Sequence, residues 1–273
     1  MRSVELIESW PVPNASAAVI SAAGETLAAY GDQDRLYRLA SVTKLLTAYA
    51  ALVAVEEGAV ELDDPAGPEG STVRHLLAHT AGYDFAERTV RAAPGDRRIY
   101  SNAGFEVLAE VIAERSGIDF ADYVREAVLR PLGMAATDYS GSPAAGASST
   151  VRDLAIFAAE LQNPRLLHRA TLTEATTVAF EGRKGVLPGF GRQDPNDWGL
   201  GFEIRDSKSP HWTGSSSSPQ TFGHFGQAGT FVWVDPQAQV ACVALTDRDF
   251  GPWAAQAWPV FTDAVLSELN ESR

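Results

Sequence analysis

From Val42 to Val55 the chain reads VTKLLTAYAALVAV, with apolar or small side chains on almost every face of a 3.6-residue repeat. A surface helix confines its apolar positions to one stripe, so this helix is expected to be covered on all sides. Ser41 is placed as its N-cap, Glu56 and Glu57 close the last turn, and Gly58 occupies the left-handed position beyond it. Ahead of it, SAAVISAAGETLAAY (16–30) reads as two short strands around an Ala-Gly-Glu turn. Behind it come helical patterns beginning near 72 (TVRHLLAH), 103 (AGFEVLAEVIAERSG), 119 (DFADYVREAVLRPLG) and 150 (TVRDLAIFAAELQ). Gly117 ends the second of these, Pro131 is expected to stop the third, and Thr150 with Asp153 gives the last a capping-box-like start. Residues 182–223, rich in Gly, Pro, Ser and Trp, read as ordered loop. TFGHFG, GTFVWVDP and QVACVALTD then read as strands, and FGPWAAQAWPVFTDAVLSELN as a terminal helix.

Strands at both ends with helices between them predict an α/β fold of the α+β type: one antiparallel sheet made from both chain ends, with an inserted, mainly helical lobe. The expected division is an α/β lobe of residues 1–62 plus about 200–273 and a helical lobe of about 63–199, within one catalytic domain. The cleft between lobes is the natural place for a site.

At 273 residues and 45% hydrophobic, the chain can build a substantial core. Its net charge of −13, with no basic cluster beyond GDRR at 95–98, argues against a nucleic-acid partner. No uninterrupted apolar run of about 18 residues suggests a membrane span. The opening MRSVELIESWPVP lacks the apolar stretch of a signal peptide, so a cytoplasmic location is expected. The single cysteine, Cys242, lies in the apolar run VACVAL and reads as a buried strand residue.

Lys44 is out of place in a covered helix. Burial and the positive end of the helix macrodipole both disfavour its ammonium form and lower its pKa. Ser41, three residues earlier, shares its helix face, and a hydroxyl beside an amine able to take a proton is an activated nucleophile in outline. The Ser41 N–H, free at the helix start, can hold an oxyanion. Two further triplets carry candidate chemistry. YSN (Tyr100–Asn102) precedes a helix, where its side chains can face the cleft or where Ser101 or Asn102 can simply cap the helix. HFG (His224–Gly226) falls on a strand. By chance SxxK occurs in roughly one such chain in five, YxN in roughly one in eight and HxG in roughly a third, so the three together occur in about one in a hundred. His75 and His79 are four apart, which suits zinc, but no glutamate follows His75 and no third ligand presents itself, so no metal or other cofactor is expected.

SVTK, then YSN, then HFG, on helix start, loop and strand, resembles the penicillin-recognising serine hydrolases: class C β-lactamases, D-alanyl-D-alanine peptidases, D-aminopeptidases and family VIII carboxylesterases. RLASVTKLLTAYAAL, VEEGAVELDDP, TVRHLLAHTAG, PGDRRIYSNAGFEVLAEVIAERSG, VLRPLGM, STVRDLAIF and GHFGQAGTFVWVDP resemble that family's successive segments in order. The resemblance implies that Ser41 attacks an ester or amide carbonyl and carries the acyl group, and that Lys44 with Tyr100 takes the hydroxyl proton, with the base being either of the two. Tyr100 would return the proton to the leaving group, Asn102 would orient Lys44 and a substrate carbonyl, and the N–H groups of Ser41 and Gln227 would hold the oxyanion. His224, Phe225, Gly226 and Gln227 would contact substrate.

Two positions depart from the family's lysine-led strand motif. His224 is expected to hold an anionic substrate only below its ordinary pKa near 6.5, and Phe225 replaces a small residue that would help bind a carboxylate. A carboxylesterase-like activity on a small neutral or apolar acyl substrate is therefore expected. The alternatives are a D-amino-acid amidase, a D-alanyl-D-alanine carboxypeptidase or weak β-lactamase, and, in another class, a non-catalytic binding protein of the same fold. Trp198, Trp212 and Trp233 are candidates for pocket lining or for core.

Overall fold

The computed structural model describes residues 1–271. Its main sheet has six strands: β1 (Ala15–Ser21), β2 (Thr26–Tyr30), β3 (Glu203–Ile204), β4 (Phe222–Gly226), β5 (Thr230–Asp235) and β6 (Val240–Thr246). They lie in the order β2-β1-β6-β5-β4-β3, every neighbour antiparallel. The two ends of the chain meet at its centre, where Val19 pairs with Cys242 and Ala17 with Ala244.

Alternation along the central strands explains why VACVAL is apolar throughout. Val240, Cys242 and Ala244 join a core with Ala17, Val19, Phe231 and Trp233, while Ala241, Val243 and Leu245 face the other way with Ala18, Ile20, Val232 and Val234. The first face is covered by the C-terminal helix through Trp258, Phe261, Val265 and Leu266, and by Val4 and Ile7 of the N-terminal 3₁₀ turn. The second face meets helices α1 (Thr43–Glu56) and α3 (Val151–Gln162), with α2 (Asn102–Ser116) packed beyond α1. Each Val, Leu or Phe fully buried here contributes about 1.5–3 kcal/mol by leaving water. The C-terminal helix is α4 (Pro252–Glu271).

Helix α1 is buried from Thr43 to Ala54, as a helix apolar on every face requires. Gly58 has φ +74, the left-handed conformation expected past its end. Its start differs from expectation. A 3₁₀ turn over Ala40–Val42 precedes it, the N-cap position falls on Val42, and no side chain caps it. Ser41 therefore keeps its hydroxyl free of the backbone. Thr150 does accept a hydrogen bond from Asp153 N–H, and Ser101 accepts one from Gly104 N–H to cap α2.

Two other expectations need correcting. Pro131 does not end the third helical pattern, which runs on to Gly133 (φ +77); a wider π turn over Arg125–Leu129 precedes the proline and relaxes the clash its ring would make in a regular helix. Nor is 182–223 only loop. It supplies β3 and a hairpin pairing Gly185–Leu187 with Gly191–Gln193, strand signals hidden by the surrounding Gly and Pro. Arg98, counted among the basic residues of GDRR, is buried and donates to the carbonyls of Asn196 (2.6 Å), Ala179 (2.8 Å) and Ala78. Among the described residues no helix is long and apolar enough to cross a membrane.

Candidate active site

Three elements bring the candidate residues together: the turn entering α1, the segment entering α2, and the end of β4. The first is shaped by a tight approach. Ala40 takes φ +46, and a Cβ at Gly226 would lie 2.2 Å from Leu39 O and 3.1 Å from Ser41 N, so only glycine lets β4 close against the Ser41 turn. Thr230 Oγ1 donates to Leu39 O at 2.8 Å and pins the same turn to β5.

Lys44 is fully buried one helical turn on. Its Nζ donates to Asn102 Oδ1 at 2.6 Å and to Ala144 O at 2.9 Å, and lies 3.4 Å from Ser41 Oγ. Asn102 Oδ1 and the Ala144 carbonyl oxygen can only accept, so a neutral amine gives both of its N–H groups to them and turns its lone pair toward Ser41. Burial brings the Lys44 pKa down to about 7, against the opposing field of Glu106. Ser101 makes the helix cap, which leaves the Asn102 side chain free to accept from Lys44.

Tyr100 faces the same space. Its ring lies 4.7 Å from Lys44 Nζ, and its phenol, which also interacts with Ser41, is pushed above its ordinary pKa by burial. Its hydroxyl is 3.4 Å from His224 Nε2, while His224 Nδ1 is 2.6 Å from Phe225 O. A carbonyl can only accept, so Nδ1 carries the proton and Nε2 accepts from Tyr100. Burial, and next the charge of Lys44, depress the His224 pKa to about 3. This overturns the expected charge switch near 6.5: His224 stays neutral throughout the ordinary working range.

A cavity of about 290 Å³ opens onto Ser41, lined also by Phe85, Tyr100, Leu187, Pro188, Trp198, Glu203, His224, Phe225 and Gln227. Among the described residues its lining holds neither Lys nor Arg. Glu203, the one carboxylate, is engaged from behind by Lys208, by His211 Nε2 at 2.9 Å and by Trp212 Nε1 at 3.0 Å. Burial alone would raise its pKa, but His211 and Lys208 outweigh that and hold it ionised below the usual carboxylate range. Of the three tryptophans singled out, Trp198 lines the cavity; Trp212 and Trp233 belong to the core behind Phe225.

Two residues here escaped the sequence reading. Ala144 acts through a backbone carbonyl, whose role no side chain announces. Phe85, whose ring stacks 5.9 Å from Tyr100 and whose carbonyl accepts from Asn102 N–H at 2.7 Å, is an apolar residue isolated in a polar loop, the one available signal. Of the two histidines first weighed for zinc, His75 Nδ1 is 2.8 Å from Thr72 Oγ1, and His79 is buried beneath Tyr100, its Nδ1 accepting from Ser101 N–H at 3.2 Å.

The Beta-lactamase family profile matches residues 6–266. The chain belongs to that family of β-lactamase and penicillin-binding-protein-like hydrolases. It is 58% identical to the crystal structure of a beta-lactamase from Mycobacterium bovis, covering 98% of this chain and 99% of that one with a TM-score of 0.96. EstCE1, a hydrolase with promiscuous acyltransferase activity, has the same fold at 19% identity and a TM-score of 0.77, covering 97% and 96% of the two chains. Among curated proteins, the D-alanyl-D-alanine-carboxypeptidase/endopeptidase AmpH of Escherichia coli is 31% identical over 147 residues, 40% of this chain; the match spans only 38% of that relative's length.

Proposed function

We propose that this protein is a serine hydrolase that cleaves esters or amides of small, neutral, apolar acyl groups through an acyl-enzyme on Ser41. The observation that carries the reading is Lys44: buried, with a pKa near 7, two of its hydrogen bonds fixed by Asn102 and Ala144 and its third direction on Ser41 Oγ. Lys44 is the base in this scheme, because the raised pKa of Tyr100 disfavours a phenolate. As Ser41 Oγ bonds to the carbonyl carbon, its proton passes to Lys44 and the carbonyl oxygen becomes an oxyanion facing the N–H groups of Ser41 and Gln227. Tyr100 then hands its proton to the leaving oxygen or nitrogen as the C–O or C–N bond breaks and takes in exchange the proton held by Lys44, so that no phenolate is left and the amine is neutral again, with His224 Nε2 orienting the hydroxyl. Water attack on the acyl-enzyme reverses these transfers and frees the acid.

The acyl preference rests on the cavity. Aromatic and aliphatic walls, a neutral His224 and the carboxylate of Glu203 offer nothing to pair with a substrate carboxylate, and an unpaired charge is costly to desolvate. The test is a panel of p-nitrophenyl esters, D-alanyl amides and nitrocefin, with intact mass read for the acyl adduct. Butyrate is expected to exceed its carboxylate-bearing counterpart, the succinate monoester, in kcat/KM by about 10²-fold. Equal or reversed rates would remove the neutral-substrate reading. The similarity to the Mycobacterium bovis beta-lactamase favours a second reading, β-lactam hydrolysis, which nitrocefin turnover above ester turnover would establish.

Gly226→Ala supplies a check on geometry. Its methyl would meet Leu39 O and the Ser41 turn, so kcat on the butyrate ester is expected to fall about 10²-fold, the scale of a lost oxyanion donor.

A further inference from the structure

Gln227, whose N–H faces the oxyanion in the proposed reaction, sits at an exposed turn between β4 and β5. An exposed turn does not by itself hold a donor to the few tenths of an ångström that oxyanion stabilisation needs. Something must fix it. The turn closes through Gly229 N–H to Gly226 O at 3.0 Å, and its far side is strapped to the end of β6 and the segment after it: Thr246 Oγ1 donates to Gly229 O at 2.9 Å, Phe250 N–H donates to Gln227 O at 2.7 Å, and Gln227 Nε2 donates back to Phe250 O at 3.2 Å. The Phe250 backbone thus holds Gln227 at two points, its main-chain carbonyl and its side-chain amide.

The Phe250 ring reaches the other way. It lies 4.9 Å from the ring of Phe225, which lines the cavity, and 5.8 Å from that of Phe190 in the hairpin whose Leu187 and Pro188 form the cavity wall. At the hairpin tip, Gly189 has φ +77, and a Cβ there would come within 2.5 Å of the Phe250 ring. The base of the same hairpin is tied to the segment leading to Tyr100, where Arg98 N–H donates to Lys184 O at 3.0 Å. One residue therefore links the two, its backbone holding the turn that carries the oxyanion donor and its ring packed against Phe225, the next residue but one before that donor, and against the wall that meets the acyl group.

We infer that Phe250 is a positioning residue for acylation, setting the Gln227 N–H against the reacting carbonyl while its ring holds the hairpin wall in register with that donor. This rests on the serine-hydrolase reading above. Phe250 touches neither substrate nor Ser41, so its effect belongs in the chemical step and in the binding of a tetrahedral mimic.

Phe250→Ala, Phe250→Tyr and Gly189→Ala are to be compared with the wild type on p-nitrophenyl butyrate and in binding phenylboronic acid. In the boronate adduct the Ser41 oxygen lone pair makes the B–O bond, the Ser41 proton passes to Lys44, and the negative charge on the tetrahedral boron group lies at the oxyanion position. Phe250→Ala is expected to lower kcat and weaken the boronate about tenfold each, with KM changed less than about twofold, because a misaligned donor forfeits part of what a deleted one loses. Phe250→Tyr keeps the ring and is expected to restore both. Gly189→Ala pushes on the ring and is expected to shift both in the same direction, which keeps the inference testable if Phe250→Ala does not fold. A folded Phe250→Ala or Gly189→Ala with wild-type kcat and boronate affinity overturns it, as does a loss confined to KM. A wild-type protein with no Ser41-dependent turnover and no boronate adduct overturns the hydrolase reading, and this inference with it; an active wild type with an indifferent Phe250→Ala overturns this inference alone.

Discussion

Ser41→Ala is expected to lower p-nitrophenyl butyrate turnover by about 10⁴-fold or more, and to abolish the acyl adduct in the intact mass spectrum. The size follows from what remains. Without Oγ no covalent intermediate forms, and only the oxyanion donors and the apolar cavity are left to act on an ester attacked by water. The change removes one hydroxyl that makes no helix cap, so thermal stability should move by no more than about 2 °C. Turnover that survives the substitution, with the fold intact, would place the nucleophile elsewhere and end the serine-hydrolase reading.

Lys44→Met is the second large effect. It keeps the length of the side chain and removes the group proposed to accept the Ser41 proton, so kcat/KM is expected to fall about 10³-fold. The same variant should be more stable than the wild type. A methionine asks nothing of the buried space that the ammonium must be desolvated to enter, and its Tm is expected to rise by about 2–4 °C for each kcal/mol recovered. Asn102 and the Ala144 carbonyl lose their donor, which offsets part of that gain. In the wild type, kcat/KM should climb with pH as Lys44 loses its proton, with a midpoint near 7, and at pH 5 should be about 10²-fold below its plateau. A second inflection from His224 is not expected in that range, since its pKa lies near 3. A midpoint near 10, or near 6.5 with a slope that Lys44→Met leaves unchanged, would reject Lys44 as the base.

The sequence carried the fold further than it carried the site's surroundings. Helix α1 could be placed because twelve successive buried residues leave an unmistakable all-round apolar pattern, and the central strands because β6 and β1 are apolar on both faces. Strand β3 could not. It is two residues long, and its glutamate is buried by an ion pair that only the folded chain creates. Ser41, Lys44, Tyr100 and Asn102 stood out because their spacing is a motif, yet one of the acceptors that fix the Lys44 amine is Ala144, a hundred residues on and acting through its backbone. His224 shows the converse. Its identity was plain in the sequence, but its charge depends on burial and on the nearby Lys44, which a strand position alone does not disclose.

Lys44 also couples the site to the folding equilibrium. In the unfolded chain its amine returns to an ordinary pKa near 10.5, whereas in the folded one it is held near 7. Between those values the unfolded state binds more protons, so unfolding takes up close to one proton from this group and its contribution to stability rises as pH rises from 7 to 10.5. Melting at pH 8.5 should therefore show an apparent enthalpy that varies with the ionisation heat of the buffer, a variation that Lys44→Met diminishes. The amine proposed to activate Ser41 is also, seen from the solvent, a group that gives up a proton each time the protein folds.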